Sequence, residues 1–182
     1  SSCQRSLSIY NLSDQCFRHR QKFIIGDELL KEGSVICKSK QVATPTQDFS
    51  TFEKRIGVHF RNKTLIRESF THRSFFNDHP ECGWNHNERL EFLGDAILES
   101  IVTEYLFNKF PDGSEGKLTP IRSALVNTER LATLAKELGL NDCLLLSRGE
   151  DNNLGRSNPR ILAGAFEALM GALNSDQGYE TC

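Results

Sequence analysis

The chain has 182 residues, of which 38% are hydrophobic and 25% are charged. These proportions are typical of a globular protein with a buried core and exclude wholesale disorder. Its 22 Lys and Arg residues against 24 Asp and Glu residues give a net charge of −2, so the chain lacks the strongly basic character of a free-standing nucleic-acid-binding protein. Any contact with RNA must therefore come from a local patch or a partner. No apolar run approaches the roughly 18 residues of a membrane span, so we expect no membrane partner.

Cysteine and histidine spacing gives no metal-binding signature. The six cysteines form no C-x-x-C pair, which argues against a zinc site, and their wide spacing argues against a disulfide framework. We therefore expect free thiols in a reducing compartment. The five histidines form no H-x-x-x-H or H-E-x-x-H pattern, so each is expected to be an ordinary surface or hydrogen-bonded residue.

Residues 1–50 are predicted to be an irregular extension that precedes the folded domain. Residues 1–26 are rich in Arg and Ser and contain one acid, Asp14, which is the composition of an organelle transit peptide or its remnant. An ordinary polar tail, or a tail that contacts a larger assembly, is the alternative. Since Met170 is the only methionine, we expect a processed chain or a fragment. The domain is assigned to residues 51–182.

After residue 50 the apolar spacing is helical, and no stretch alternates like a strand. Phe52 and Ile56 indicate a helix that turns at Gly57, and Leu65, Ile66 and Phe70 indicate the next. Further helices are predicted at 88–110, 118–126, 128–138 and 159–174, the first of them stopping at Pro111 and the third capped by Gly139. The sequence therefore predicts an all-α domain.

The helix at 88–110 carries acids on one side. Glu88, Glu91 and Asp95 are spaced at i, i+3 and i+7, which places them within about a 60° sector of the helix surface. An apolar stripe that we expect to dock on the core occupies the other face; it consists of Leu90, Leu93, Ile97, Ile101 and Tyr105. A solvated polar face explains the acids as well as a functional site does.

A second acid pattern favours a site. Glu167 is the only charged residue between Ile161 and Leu173, and a carboxylate in so apolar a helix is costly unless it is paired, hydrogen-bonded or bound to metal. If it faces Glu91 and Asp95, three oxygen donors converge, which suits Mg²⁺ or Mn²⁺. Such a site supports metal-assisted hydrolysis of a phosphodiester.

Residues 87–99 read N-E-R-L-E-F-L-G-D-A-I-L-E, and residues 161–169 read I-L-A-G-A-F-E-A-L. Shorter motifs are T-H-R-S at 71–74, F-P at 110–111, E-G at 115–116 and L-T at 118–119. Together these motifs resemble those of the ribonuclease III family, the endoribonucleases that cut double-stranded RNA, in which the motif at 161–169 reads I-L-A-D-x-F-E-A-L. The resemblance implies a ribonuclease III-type helical fold, metal ligands at Glu91, Asp95 and Glu167, and Glu88 as an accessory acid.

Two positions depart from the family pattern. The fourth metal ligand, the Asp of I-L-A-D, is Gly164 here, and Arg160 stands where the family usually has a small polar residue. Three carboxylates can still hold Mg²⁺, but a missing ligand impairs orientation and water activation. We therefore predict a pseudo-enzyme with a remnant site, and an active Mg²⁺-dependent endoribonuclease is the alternative.

The resemblance also implies pairing of two ribonuclease III-like chains, as a homodimer or a heterodimer. In the family the residue that matches Phe92 inserts into a socket on the second subunit. Gly94, in the same helix, is either a neutral defect or a place where another helix packs closely.

The function predicted from these features is that of a non-catalytic, RNA-contacting structural subunit of an organellar ribonucleoprotein, the large subunit of the mitochondrial ribosome above all. Structured or double-stranded RNA and ribosomal proteins would be its partners, and the mitochondrial matrix its location, with the cytoplasm as the alternative. We expect no double-stranded-RNA-binding domain of the kind found in bacterial members to follow this domain, which would fit a subunit held by neighbours. A chain that only completes an active partner's RNA groove is a third hypothesis.

Overall fold

Residues 47–182, which the computed structural model describes, fold as seven α-helices. Their bounds are α1 Ser50–Ile56, α2 Lys63–Phe70, α3 Glu88–Lys109, α4 Glu115–Leu125, α5 Thr128–Glu137, α6 Arg148–Asn152 and α7 Pro159–Gln177. Short 3-10 turns join several of them, and the β-type pairing within this range is a single bridge between Thr71 and Leu145. The predicted all-α fold is confirmed. Predictions for residues 1–46 lie outside the described residues, and the domain boundary at residue 50 stays a prediction.

Local signals explain most helix ends. Gly57 has a left-handed φ of 73° and ends α1, as predicted. The Asn62 side chain caps α2 by accepting a hydrogen bond from the Thr64 N–H at 3.0 Å. Helix α3 begins where predicted and ends one residue early, before Phe110 and Pro111. Helix α4 begins three residues before its predicted start and α7 ends three residues after its predicted end.

Helix α7 forms the centre of the core and packs against α2, α3 and α5. Every residue from Ile161 to Leu173 is buried except Glu167. The approach of α3 is closest at two glycines. A Cβ atom on Gly94 would overlap the Glu167 carbonyl oxygen, and one on Gly171 would overlap the Leu90 carbonyl oxygen. Gly94 is therefore a place where another helix packs closely, and this contact brings the acids of α3 beside Glu167.

The predicted docking face of α3 is partly wrong. Ile97 is buried, together with Leu98 and Leu106, but Leu93 is 37% exposed and Tyr105 is 53% exposed. The reason is that α3 contacts α7 most closely at Gly94. The buried stripe of α3 is therefore centred on Gly94 instead of on Leu93.

Helix α4 and the outer side of α3 leave an apolar surface uncovered. Helix α4 has no buried residue in the described part of the chain. We define the outer apolar surface as the exposed large hydrophobic residues of these two helices, namely Phe92, Leu93, Tyr105, Phe107, Ile121 and Leu125. No helix within residues 47–182 is sufficiently long and apolar to cross a membrane.

A buried acid near the start of the domain, outside the candidate site, is stabilised by hydrogen bonds. Glu53 is 5% exposed. Its carboxylate accepts hydrogen bonds from Lys63 Nζ at 2.6 and 2.7 Å and from the Phe60 N–H at 2.8 Å. These bonds keep the pKa of Glu53 below its usual value although burial acts to raise it. A buried carboxylate outside the candidate site is thus fully compensated.

Candidate metal and nucleic-acid site

The candidate site lies where the start of α3 faces the first half of α7. Helix α3 supplies Glu88, Glu91 and Asp95, and α7 supplies Glu167. Beside them is a pocket of about 310 Å³, which we call the site pocket. Its lining residues are His72, Arg73, Asn87, Glu88, Glu91, Arg160, Ile161 and Gly164. The structure therefore gathers the predicted acids and both of the positions that depart from the family motif.

The Glu91 side chain points into the space that a side chain at position 164 would fill. A Cβ atom on Gly164 would lie 2.9 Å from Cδ and Oε2 of Glu91 and 3.1 Å from its Oε1. Within the described residues no hydrogen bond or ion pair holds this carboxylate. The glycine thus changes the site in two ways, because it removes an oxygen ligand and lets Glu91 take the vacated volume.

Three of the predicted acids are electrostatically coupled. Burial, followed by the charges of Asp95 and Glu91, raises the pKa of Glu167 to about 7. The pKa of Glu91 is also raised, first by burial and then by Glu88 and Asp95. Unlike Glu53, Glu91 and Glu167 have no cationic partner in residues 47–182, so these two carboxyls resist ionisation.

Glu88 lies at the exposed edge of this group, although its charge also acts on Glu91. It is half-exposed and lies 3.6 Å from Arg73 Nη1 and 3.7 Å from His86 Nδ1. Its charge is thus partly balanced by groups that precede α3. Its role as an accessory acid stays a prediction.

The donor set suits a hard divalent cation, but its arrangement does not. The three predicted ligands all supply carboxylate oxygens, which Mg²⁺ and Mn²⁺ prefer. However, in the described part of the chain no three His, Cys, Asp or Glu side chains are arranged to hold a metal ion. Gly164 offers no oxygen, and Glu91 is turned toward it. The side chains as placed do not form a metal site, and the assignment of Glu91, Asp95 and Glu167 as ligands stays a prediction.

His72 is a site-pocket residue that the sequence analysis treated as ordinary. Its backbone N–H donates to the Leu145 carbonyl at 3.0 Å. Its Nδ1 accepts from the Ser74 N–H at 3.3 Å and lies 2.9 Å from Ser74 Oγ. Burial lowers the pKa of His72, so the ring favours the neutral form. The T-H-R-S motif at 71–74 was the signal that could have drawn attention to it.

Phe92 lies away from the site pocket on the outer apolar surface. Its side chain is 83% exposed, so it is not a residue of the chain's own core. An aromatic ring this exposed beside other uncovered apolar residues is typical of an association surface.

Comparison with known proteins identifies the family to which this arrangement belongs. The Ribonuclease-III-like family model matches residues 62–182, which include every predicted site residue. The chain belongs to the ribonuclease III family. The nuclease domain of ribonuclease III from Campylobacter jejuni is similar in structure, with a TM-score of 0.68 and 41% identity, over 73% of this chain and 89% of that one. The predicted ribonuclease III-type fold is thereby confirmed.

Two curated proteins to which this ribonuclease III domain is similar come from bacteria. Ribonuclease 3 of Bacillus velezensis is 47% identical over 134 residues, 74% of this chain and 54% of that protein. Ribonuclease 3 of Anoxybacillus flavithermus is 47% identical over 136 residues, 75% of this chain and 57% of that protein. The chain spans little more than half the length of these relatives.

Proposed function

We propose that this ribonuclease III domain binds double-stranded RNA without cleaving it. The observation that carries the proposal is the placement of the Glu91 carboxylate against Gly164. Catalysis by activated water needs ligands fixed in productive geometry, and small displacements cost orders of magnitude in rate. Here Gly164 supplies no oxygen at one ligand position, and the Glu91 side chain, the ligand at a second position, is turned toward it. Recognition of the RNA backbone does not depend on that geometry and is retained.

Cleavage assays on duplex RNA with Mg²⁺ test this proposal. The unaltered chain should bind the duplex and leave it intact. Gly164→Asp should gain cleavage, because its carboxylate supplies the missing oxygen and pushes the flexible end of Glu91 back toward Asp95 and Glu167. Gly164→Ala is the matched control, since its methyl group displaces Glu91 without adding a ligand, and it should stay inactive.

A Mg²⁺-dependent endoribonuclease is the second candidate. It is supported by the retention of Glu91, Asp95 and Glu167 in a domain 47% identical to proteins named Ribonuclease 3. Cleavage by the unaltered chain that Glu167→Gln abolishes would establish this candidate and overturn the first. Inactivity of both the unaltered chain and Gly164→Asp would contradict the idea that Gly164 alone disables the site.

We further propose that the domain works as one of a pair, with Phe92 as an anchor of the interface. The exposure of Phe92 and the uncovered face of α4 support the proposal. The Campylobacter jejuni structure is described as showing flexibility in a region involved in dimer formation of its nuclease domain. The second chain is a copy of this one or another ribonuclease III-like chain.

The more specific role, a structural subunit of an organellar ribonucleoprotein such as the mitochondrial large ribosomal subunit, rests on the sequence. It is supported by Gly164 and by the Arg- and Ser-rich residues 1–26. Cell fractionation followed by sucrose-gradient sedimentation tests it. Co-sedimentation with mitochondrial large subunits is expected, and recovery only as a free dimer outside organelles would contradict it.

A further inference from the structure

The site pocket contains hydrogen-bond donors that the acids do not use. Within residues 47–182 the Arg160 side chain has no ion pair or hydrogen bond, although it lines the pocket beside Gly164. His72 lines the same pocket. The pocket is therefore not purely acidic, because an arginine and a histidine without acid partners in the described part of the chain line it together with Glu88 and Glu91.

Hydrogen bonding fixes which atom of His72 is available. Nδ1 accepts the Ser74 N–H, so in the neutral ring Nδ1 carries no proton and Nε2 carries it. The ring is held further because Ser74 Oγ, 2.9 Å from Nδ1, also accepts the Ser147 N–H at 3.1 Å. No group among the described residues accepts from Nε2. The ring thus presents a fixed N–H donor with no protein acceptor.

We propose that His72 Nε2–H and the Arg160 guanidinium together bind a phosphate group of the RNA backbone in the site pocket. A guanidinium matches the oxygens of phosphate in geometry and charge. The inference rests on the proposed binding of double-stranded RNA and adds the residues that hold its backbone when no metal ion is present.

Two acids, Glu88 and Glu91, line the same pocket. The charge of Glu88 is partly balanced by Arg73 at 3.6 Å. The Glu91 carboxylate lies against Gly164. Because position 164 is a glycine, the pocket contains one carboxylate fewer than the family motif would supply, and this lowers the repulsion that a phosphate meets.

Two substitutions of His72 separate a phosphate contact from a structural role. Asn keeps an acceptor near the position of Nδ1 and loses the donor at Nε2, whereas Gln keeps a donor near Nε2 and loses the bond to Ser74. If His72 holds phosphate, His72→Asn should weaken binding of a labelled RNA duplex in EDTA by about fivefold to tenfold, and Gln should restore most of it. A purely structural His72 would give the opposite order and overturn the proposal.

Arg160 is tested by the salt dependence of the same binding. Arg160→Gln should weaken binding and reduce the slope of log affinity against log salt by about 1, the loss of one phosphate contact. Arg130→Gln is the matched control, because Arg130 is an exposed arginine on α5, and it should leave the slope unchanged. Equal slopes for Arg160→Gln and the unaltered chain would refute the assignment of Arg160.

A small probe distinguishes failure of this inference from failure of RNA binding. Dimethyl phosphate, titrated in EDTA, should shift the His72 Nε2 resonance in ¹⁵N NMR spectra of the unaltered chain, and Arg160→Gln should abolish the shift. A shift without any duplex binding would contradict the proposed function and keep the phosphate site. Duplex binding with no shift, and with full affinity in His72→Asn, would refute the phosphate site alone.

Discussion

Replacing Glu167 with Gln should stabilise the folded domain above about pH 7. The pKa of this carboxyl is about 7 in the fold against a usual value of 4.5. Between these values the folded chain binds more protons than the unfolded chain, so the free energy of unfolding falls as the pH rises. The destabilisation is absent below about pH 4.5 and complete above about pH 7. Gln has nearly the same shape and cannot ionise, so it removes the effect.

The structure sets the size of this change. At about 1.4 kcal/mol per pKa unit, the gap corresponds to about 3 kcal/mol as an upper value. Because Glu167 is partly exposed and shares its repulsion with Asp95 and Glu91, solvent screening reduces the expected gain to about 1 to 2 kcal/mol.

Urea unfolding followed by circular dichroism at about pH 5, 6, 7 and 8, without divalent cations, measures the gain. Glu167→Gln should exceed the unaltered chain by the full amount at pH 8 and by little at pH 5. Glu129→Gln, on the exposed side of α5, is the control and should show no such trend. A difference that is constant across the pH range, or a variant less stable at pH 8, would show that Glu167 is not a strained carboxylate.

Three further substitutions test the packing and the outer surface. Gly94→Ala should lower the free energy of unfolding by about 3 kcal/mol or more in denaturant titrations, because the added Cβ would overlap backbone atoms of α7. Gly116→Ala is the control, since open space surrounds this position, and it should change the free energy of unfolding by less than about 1 kcal/mol. Phe92→Ala should leave helicity unchanged, since the ring is 83% exposed. It should weaken the pairing of two chains by about 3 to 5 kcal/mol, measured by analytical ultracentrifugation. An unchanged dimer would exclude Phe92 from the interface. Leu154→Gly should stabilise the fold by about 1 kcal/mol in thermal unfolding, because Leu154 has a left-handed φ of 62° and is 74% exposed; a loss of stability would mean that the side chain is bound.

The helices were predictable because their ends depend on nearby residues. Gly57 ends α1 and Pro111 follows α3, and both act through local backbone geometry. Helix α6, only five residues long, was not predicted, since so short a segment shows no periodicity. The early start of α4 was missed because its first turn, before Leu118, contains no apolar residue to mark the helix.

The buried face of α3 was harder to predict than the helix itself. A helix with apolar residues on two sides offers two candidate faces, and periodicity does not say which one the chain's own core covers. The deciding feature was Gly94, whose missing Cβ allows α7 to approach along one line. Leu93 and Tyr105 were therefore assigned to the core from pattern and lie on the surface.

Part of the candidate site could be predicted from the sequence, and the rest depends on contacts between residues far apart in the chain. Spacing and family resemblance placed Glu91, Asp95 and Glu167 on facing helices, and the structure brings them together. The rotation of Glu91 toward position 164 was not predictable, because it depends on the volume left by a residue on another helix. Histidine spacing gives no signal for His72, because the orientation of its ring depends on a hydrogen bond with Ser74, two residues later.

Gly164 and Arg160 act in the same electrostatic direction. They lie four residues apart on α7, so they share one face of the helix, and both line the site pocket. Compared with the family pattern, one position loses a carboxylate and the other gains a guanidinium. Each change lowers the repulsion that a phosphate meets in the pocket and each reduces the need for a metal ion to offset it. In the proposed function, in which RNA binds without being cleaved, Arg160 would supply the positive charge that a metal ion supplies in a cleaving site, and the loss of the carboxylate at position 164 would reduce the negative charge to be offset.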